Sequence, residues 1–145
     1  MSSVSSITSI ATTIPSNDVN EHFMNLAINQ ANISLPIQTG YCVGALLIEY
    51  KSNYNTENDY NGYRILSTGY SRELHGNTHA EECCLIKYNN LRSLDNTLNP
   101  INHDFLIYTT MEPCSLRLSC TELINDTNIS TIIIGALEPK VFVDD

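Results

Sequence analysis

The spacing of apolar residues changes several times along the chain, and each change predicts an element. In DVNEHFMNLAINQA, Val19, Phe23, Leu26, Ala27 and Gln30 share one helical face, and Asp18 with Glu21 has capping-box spacing, so a helix is predicted from about Asn17. YCVGALLIEY is a short continuous apolar run rich in branched and aromatic residues, the pattern of a buried strand. KSNYNTENDYNG reads as a polar loop or hairpin tip, and YRILSTGYS as a second strand antiparallel to the first. HAEECCLIKYNNL returns to helical spacing, with His79, Cys83 and Ile86 on one stripe and Ala80, Cys84 and Tyr88 beside it. Pro100 keeps SLDNTLNPINH out of a long helix. DFLIYTTM predicts a third strand, CSLRLSCTELIND a third helix and STIIIGAL a fourth strand. The order helix, strand, strand, helix, strand, helix, strand predicts an α/β sandwich with helices on a mixed sheet.

With 145 residues, the chain has the length of one domain. Its first residues are rich in Ser and Thr without period, so 1–16 reads as a disordered or extended tail and 17–145 as one domain. The net charge of −9, with no Lys or Arg before Lys51 and the seven scattered from there to Lys140, argues against nucleic acid as a partner and against a mitochondrial presequence. No apolar run reaches membrane-spanning length. A soluble, cytoplasmic protein is expected. In a reducing compartment, its odd set of cysteines (Cys42, Cys83, Cys84, Cys114 and Cys120) suggests metal binding or burial before disulfides.

Two stretches carry candidate chemistry. In GNTHAEECC, Thr78 and Glu81 have the spacing of a capping box, which would make Glu81 a helix cap and His79 an exposed first-turn residue. Cys83 and Cys84, beside Leu85 and Ile86, fit small buried hydrophobes. In TMEPCSLRLSC, Pro113 suits the first position of a helix and Glu112 a carboxylate at its N-terminus. Taken together, the stretches each follow a strand and open a helix, where the dipole favours thiolates. One imidazole and two thiolates suit a tetrahedral zinc with an open position for water, and Glu81 stands two residues from His79, within reach of that water.

His79-Ala80-Glu81 followed by Pro113-Cys114 and Cys120 resembles the zinc deaminase pattern H-x-E…P-C…C. From about Asp18 to Val143 the chain resembles the cytidine-deaminase-like zinc hydrolases. GYSRELHGNTHAEECCLIKY and YTTMEPCSLRLSC look more narrowly like the fungal riboflavin-pathway (DRAP) deaminases, which act on a diaminopyrimidine ribityl phosphate. That resemblance implies a three-layer α-β-α sandwich, Zn2+ bound by His79, Cys114 and Cys120, and Glu81 as proton carrier. The five residues between Cys114 and Cys120 depart from the usual P-C-x-x-C, and Cys83, one turn beyond His79, is the nearest substitute ligand. Substrate-binding candidates are Arg72, His75, Asn77, Glu112, Ser115 and Arg117, the cations among them for a phosphate. Relatives usually continue with a further strand and helix beyond EPKVFVDD. Their absence suggests a shortened chain, a minimal form or a subunit whose open sheet edge a partner covers, so a homo-oligomer is expected. Deamination of another cytosine-type base or nucleoside, and an inactive zinc-stabilised scaffold subunit, are the alternatives. A thiol redox role lacks the Cys-x-x-Cys pair it needs.

Overall fold

The computed structural model describes residues 14–37, 41–111, 129 and 131–135. The predicted third helix and the tail before residue 14 lie outside the described residues. Helix α1 (Asn17–Ala31) is followed by β1 (Gly44–Tyr50), β2 (Asp59–Tyr60), β3 (Tyr63–Tyr70), α2 (Ala80–Leu94), β4 (Phe105–Thr109) and β5 (Thr131–Ile134). The strands form one sheet in the order β2-β3-β1-β4-β5. Every neighbouring pair is antiparallel except β4 and β5, which run parallel, so the sheet is mixed as predicted.

Side chains alternate across the strands and so feed two cores. Leu46 and Ile48 of β1, Leu106 and Tyr108 of β4 and Ile133 of β5 pack with Val19, Phe23, Met24 and Ala27 of α1. Ala45, Leu47, Phe105, Ile107, Ile132 and Ile134 face the other way and pack with Ala80, Cys84, Leu85 and Tyr88 of α2. Among the described residues, one helix covers each face of the sheet, giving three layers. This explains why GALLIEY is apolar almost without interruption, since a central strand covered on both sides has no face for water.

Three local expectations need correction. Ser16 caps α1, because its backbone is extended and its hydroxyl accepts the Val19 N–H at 3.3 Å, while Asp18 lies within the first turn, where its charge complements the helix dipole. Ser16 and the buried Pro15 lie at the helix entry. The buried stripe of α1 includes Asn20, Met24 and Ala31, whereas Leu26 and Gln30 sit at its margin. Finally, the Asn-rich loop contains the short strand β2, turned into β3 by Asn61 and Gly62 at φ 51° and 91°, a pairing suited to a tight hairpin. Asp59 and Arg64 lie opposite each other across that hairpin and pair at 2.7 and 3.0 Å.

Two glycines draw both helices onto one end of the sheet. A β-carbon on Gly44 would stand 1.9 Å from the Ala27 carbonyl oxygen of α1, and one on Gly69 would stand 2.2 Å from the Ala80 carbonyl oxygen of α2. Residues 44 and 69 are next to each other in the paired register, since Gly44 lies opposite Tyr70 and Ala45 opposite Gly69. The opposite end is tied by the buried Glu49 carboxylate, which accepts the Tyr54 hydroxyl at 2.7 Å and the Asn99 side-chain amide at 2.9 Å. Burial and this bond push the Tyr54 hydroxyl up to about 12. Among the described residues, no helix is long and apolar enough to cross a membrane.

Gly69→Ala forces a methyl group against helix backbone, which cannot yield without shifting α2. The expected loss is about 1–3 kcal/mol in urea or thermal denaturation. Unchanged stability would contradict this packing.

Candidate active site

At the end carrying Gly44 and Gly69, β3 runs into a closed loop that delivers His79 to the start of α2. Arg72 leaves the strand with φ 65°, and its N–H bonds to the Thr78 carbonyl at 2.7 Å. Within the loop, the Leu74 N–H donates to the Thr78 hydroxyl at 3.2 Å, and that hydroxyl lies 3.1 Å from the Leu74 carbonyl oxygen. An ion pair of 2.6 Å between Glu73 and Lys87 fastens the loop to α2. The loop is thus fixed at both its base and its side.

His79, half-buried, is the N-cap of α2, with extended backbone at φ −92° and ψ 156°. Its N–H is accepted by the Glu82 carboxylate at 3.1 Å. The capping carboxylate is therefore Glu82, one residue beyond the one that T-x-x-E spacing suggests, because the cap falls on His79 and not on Thr78. Glu81 is released from that duty. It turns inward, only 3 % exposed, and its Oε2 accepts a hydrogen bond from the Thr109 hydroxyl at 2.7 Å. Thr109 is fully buried at the end of β4, and the same hydroxyl lies 2.8 Å from the Met111 carbonyl oxygen.

The two neighbouring cysteines follow the hydrophobic reading of the sequence. Both Cys83 and Cys84 are fully buried, and Cys84 belongs to the core beneath α2. Burial, reinforced by the nearby Glu81 carboxylate, pushes the Cys84 thiol well above its ordinary range, so it stays neutral. Among the described residues, no group of three His, Cys, Asp or Glu side chains is placed to hold a metal ion, so Cys83 does not complete a site with His79 and Glu81.

Arg72 sits at the site's edge with its guanidinium turned toward protein groups. It donates to the Leu35 carbonyl at 2.8 Å, the Ser34 hydroxyl at 3.0 Å and the Tyr41 carbonyl at 3.4 Å. These bonds tie the connection between α1 and β1 to the end of β3, the position of a structural clamp. His75 and Asn77 are exposed on the loop. Glu112, Cys114, Ser115, Arg117 and Cys120 lie outside the described residues.

Of the three expected zinc donors, the described residues include His79 alone. An imidazole stands at a helix N-terminus, a buried carboxylate follows two residues later, and that carboxylate is bonded to the strand end from which the chain continues toward Cys114. Sequence reasoning missed Thr109 and Glu82. Thr109 was accessible through alternation: Phe105 and Ile107 face α2, so position 109 must face it too.

Comparison with known proteins agrees with this geometry. Residues 17–136 match the model of the cytidine and deoxycytidylate deaminase zinc-binding region. The diaminohydroxyphosphoribosylamino-pyrimidine deaminase of Schizosaccharomyces pombe is 42 % identical over 127 residues, which cover 85 % of this chain and 27 % of the relative. The chain thus spans only about a quarter of that relative's length. The Rib2 deaminase of Aspergillus oryzae, solved as a C-terminal deletion mutant in complex with DARIPP, superposes with a TM-score of 0.63 at 34 % identity, covering 82 % of this chain and 72 % of the other. A diaminohydroxyphosphoribosylaminopyrimidine deaminase/5-amino-6-(5-phosphoribosylamino)uracil reductase from Thermotoga maritima superposes with a TM-score of 0.59 at 25 % identity, covering 82 % of this chain and 30 % of that one. With the inward carboxylate beside a capping histidine and a family match across both helices and the sheet between them, the chain belongs to the cytidine and deoxycytidylate deaminase zinc-binding family.

Proposed function

We propose that this chain is a zinc-dependent aminohydrolase that removes the exocyclic amine from a diaminopyrimidine ribityl phosphate of riboflavin synthesis. The observation that carries the proposal is the buried Glu81 carboxylate, two residues from His79 and hydrogen-bonded to the strand that leads into Pro113-Cys114. The likeness to the Schizosaccharomyces pombe and Aspergillus oryzae deaminases supports the substrate class.

His79, Cys114 and Cys120 would hold the zinc. When bound, the metal supplies a Lewis acid that brings the pKa of water toward neutrality. Glu81 would stand outside the ligand set as the proton carrier. Its carboxylate takes one proton from the attacking water and passes it to the ring nitrogen, then takes the second from the hydroxyl now on the ring carbon and passes it to the departing amine, so that the carbon–nitrogen bond breaks and ammonia leaves. Burial suits this work, since a carboxylate withdrawn from bulk water exchanges protons with the substrate before it exchanges them with solvent. His75, Asn77, Glu112, Ser115 and Arg117 are the candidates for contact with the substrate and its phosphate. The bonds made by Arg72 support a role in shaping the rim in place of direct contact.

The acidic chain, with a net charge of −9, suits a small-molecule substrate and not a nucleic acid. A cytoplasmic location is part of the proposal, and the free thiols of Cys42, Cys83 and Cys84 are consistent with a reducing compartment. So is a homo-oligomer. Among the described residues, no strand pairs with β3 beyond Arg64 on its outer edge. Beside that edge runs an open groove of about 540 Å³ lined by Leu66, Thr68, Lys87, Leu91 and Leu94. Leu91 and Leu94 are 48 % and 87 % exposed, and an antiparallel edge is complementary to a second copy of itself across a two-fold axis.

Two measurements test the proposal. Glu81→Gln is expected to lower ammonia release from the diaminopyrimidine ribityl phosphate by roughly 10²–10⁴-fold while one zinc per chain is retained, and His79→Ala to lose the metal. Zinc retained with no Glu81-dependent rate on any pyrimidine substrate would instead identify a scaffold subunit. In sedimentation, Leu94→Glu is expected to dissociate an oligomer that the unmodified chain forms, and a monomeric unmodified chain would overturn the assembly.

A further inference from the structure

Thr109 occupies a position where chemistry and packing disagree. Phe105 and Ile107, the preceding residues on its side of β4, are core hydrophobes against α2, and a β-branched apolar side chain would continue that pattern. Instead the chain buries a hydroxyl completely, at a cost unless it is partnered. Its partners are the Glu81 carboxylate oxygen at 2.7 Å and the Met111 carbonyl oxygen at 2.8 Å. With one proton to give, that hydroxyl is shared between two acceptors, the carboxylate two residues beyond His79 on α2 and the Met111 backbone just ahead of Glu112-Pro113-Cys114 in the sequence.

We propose that Thr109 is a positioning residue for the deamination: its hydroxyl fixes the Glu81 carboxylate relative to the segment that begins at Met111 and carries Cys114. Thr109 touches neither substrate nor metal in this assignment, and its role rests on Glu81 being the proton carrier proposed above. A glutamate side chain has three rotatable bonds, and a carboxylate that must first be found in the right orientation reacts slowly. Holding Oε2 sets the plane of the carboxylate and the direction of Oε1. Because the same hydroxyl reaches the Met111 carbonyl, the carboxylate is registered to the backbone at the end of β4. The loop that delivers His79 is fastened separately, through Arg72, Thr78 and the pair formed by Glu73 and Lys87. Thr109 is the described contact that joins that half to the β4 side through the catalytic carboxylate.

The test compares Thr109→Val, which keeps the shape and removes the hydroxyl, with Thr109→Ser, which keeps the hydroxyl and removes the methyl. Thr109→Val is expected to lower kcat by about 10–100-fold with KM and zinc content near those of the unmodified enzyme, since a carboxylate misplaced by about 1 Å costs rate before it costs binding. Thr109→Ser is expected to recover most of the rate. Unchanged kcat in Thr109→Val, or a Thr109→Ser enzyme no faster than Thr109→Val, would overturn the assignment. A crystal structure of zinc-loaded Thr109→Val reads the same point without turnover: the Glu81 carboxylate is expected to leave its position while the backbone of α2 stays in place. An unmoved carboxylate would overturn the assignment, whereas failure of the unmodified enzyme to release ammonia would refute only the proposed reaction.

Discussion

A helix brings a carboxylate to the end of a neighbouring strand only if its backbone can lie against the sheet. In this chain the close approach is made at Gly69, where a β-carbon would collide with the Ala80 carbonyl oxygen at 2.2 Å. Ala80 stands between His79 and Glu81. The contact that sets the height of the helix over the sheet is thus made by the residue flanked by both candidate side chains. Gly44 does the same for α1 on the opposite face, one strand over and at the same end of the sheet. The three layers are pinched where the site is built.

Once the helix is so close, Glu81 is almost wholly buried and must be satisfied largely within the protein. A buried carboxylate without partners costs several kcal/mol, which its neighbours must offset. Thr109 supplies a hydrogen bond, and Glu82 takes over the capping that would otherwise occupy the first-turn carboxylate. Two adjacent glutamates with similar sequence environments consequently do different work. The difference follows from their angular positions on the helix, about 100° apart: one points into the sheet and the other back over the N-terminus.

Much of this arrangement was legible in the residues. The buried strand β1 with its continuous apolar run, the strand β4, Val19, Phe23 and Ala27 on the stripe of α1 and the placement of His79 at a helix start all followed from pattern and turn chemistry, and they appear in the fold. The burial of Cys83 and Cys84 was equally legible, because two thiols beside Leu85 within a helix have an apolar core to join. What failed was local and depended on one or two residues of register. Ser16 in place of Asp18, and Glu82 in place of Glu81, are caps displaced by a step that spacing rules do not resolve when several polar residues crowd a helix start. The structural use of Arg72 was hidden for another reason. Its partners, Ser34, Leu35 and Tyr41, are more than thirty positions away and meet it only after the sheet has formed.

The most direct test of the account is a crystal structure of the zinc-loaded protein with an anomalous map at the zinc edge. The account predicts one ion bound by the His79 imidazole and the sulfurs of Cys114 and Cys120 at about 2.0–2.3 Å, with Glu81 beyond bonding distance and still held by Thr109. An ion bound directly by Glu81, or a Cys114 remote from His79, would contradict it.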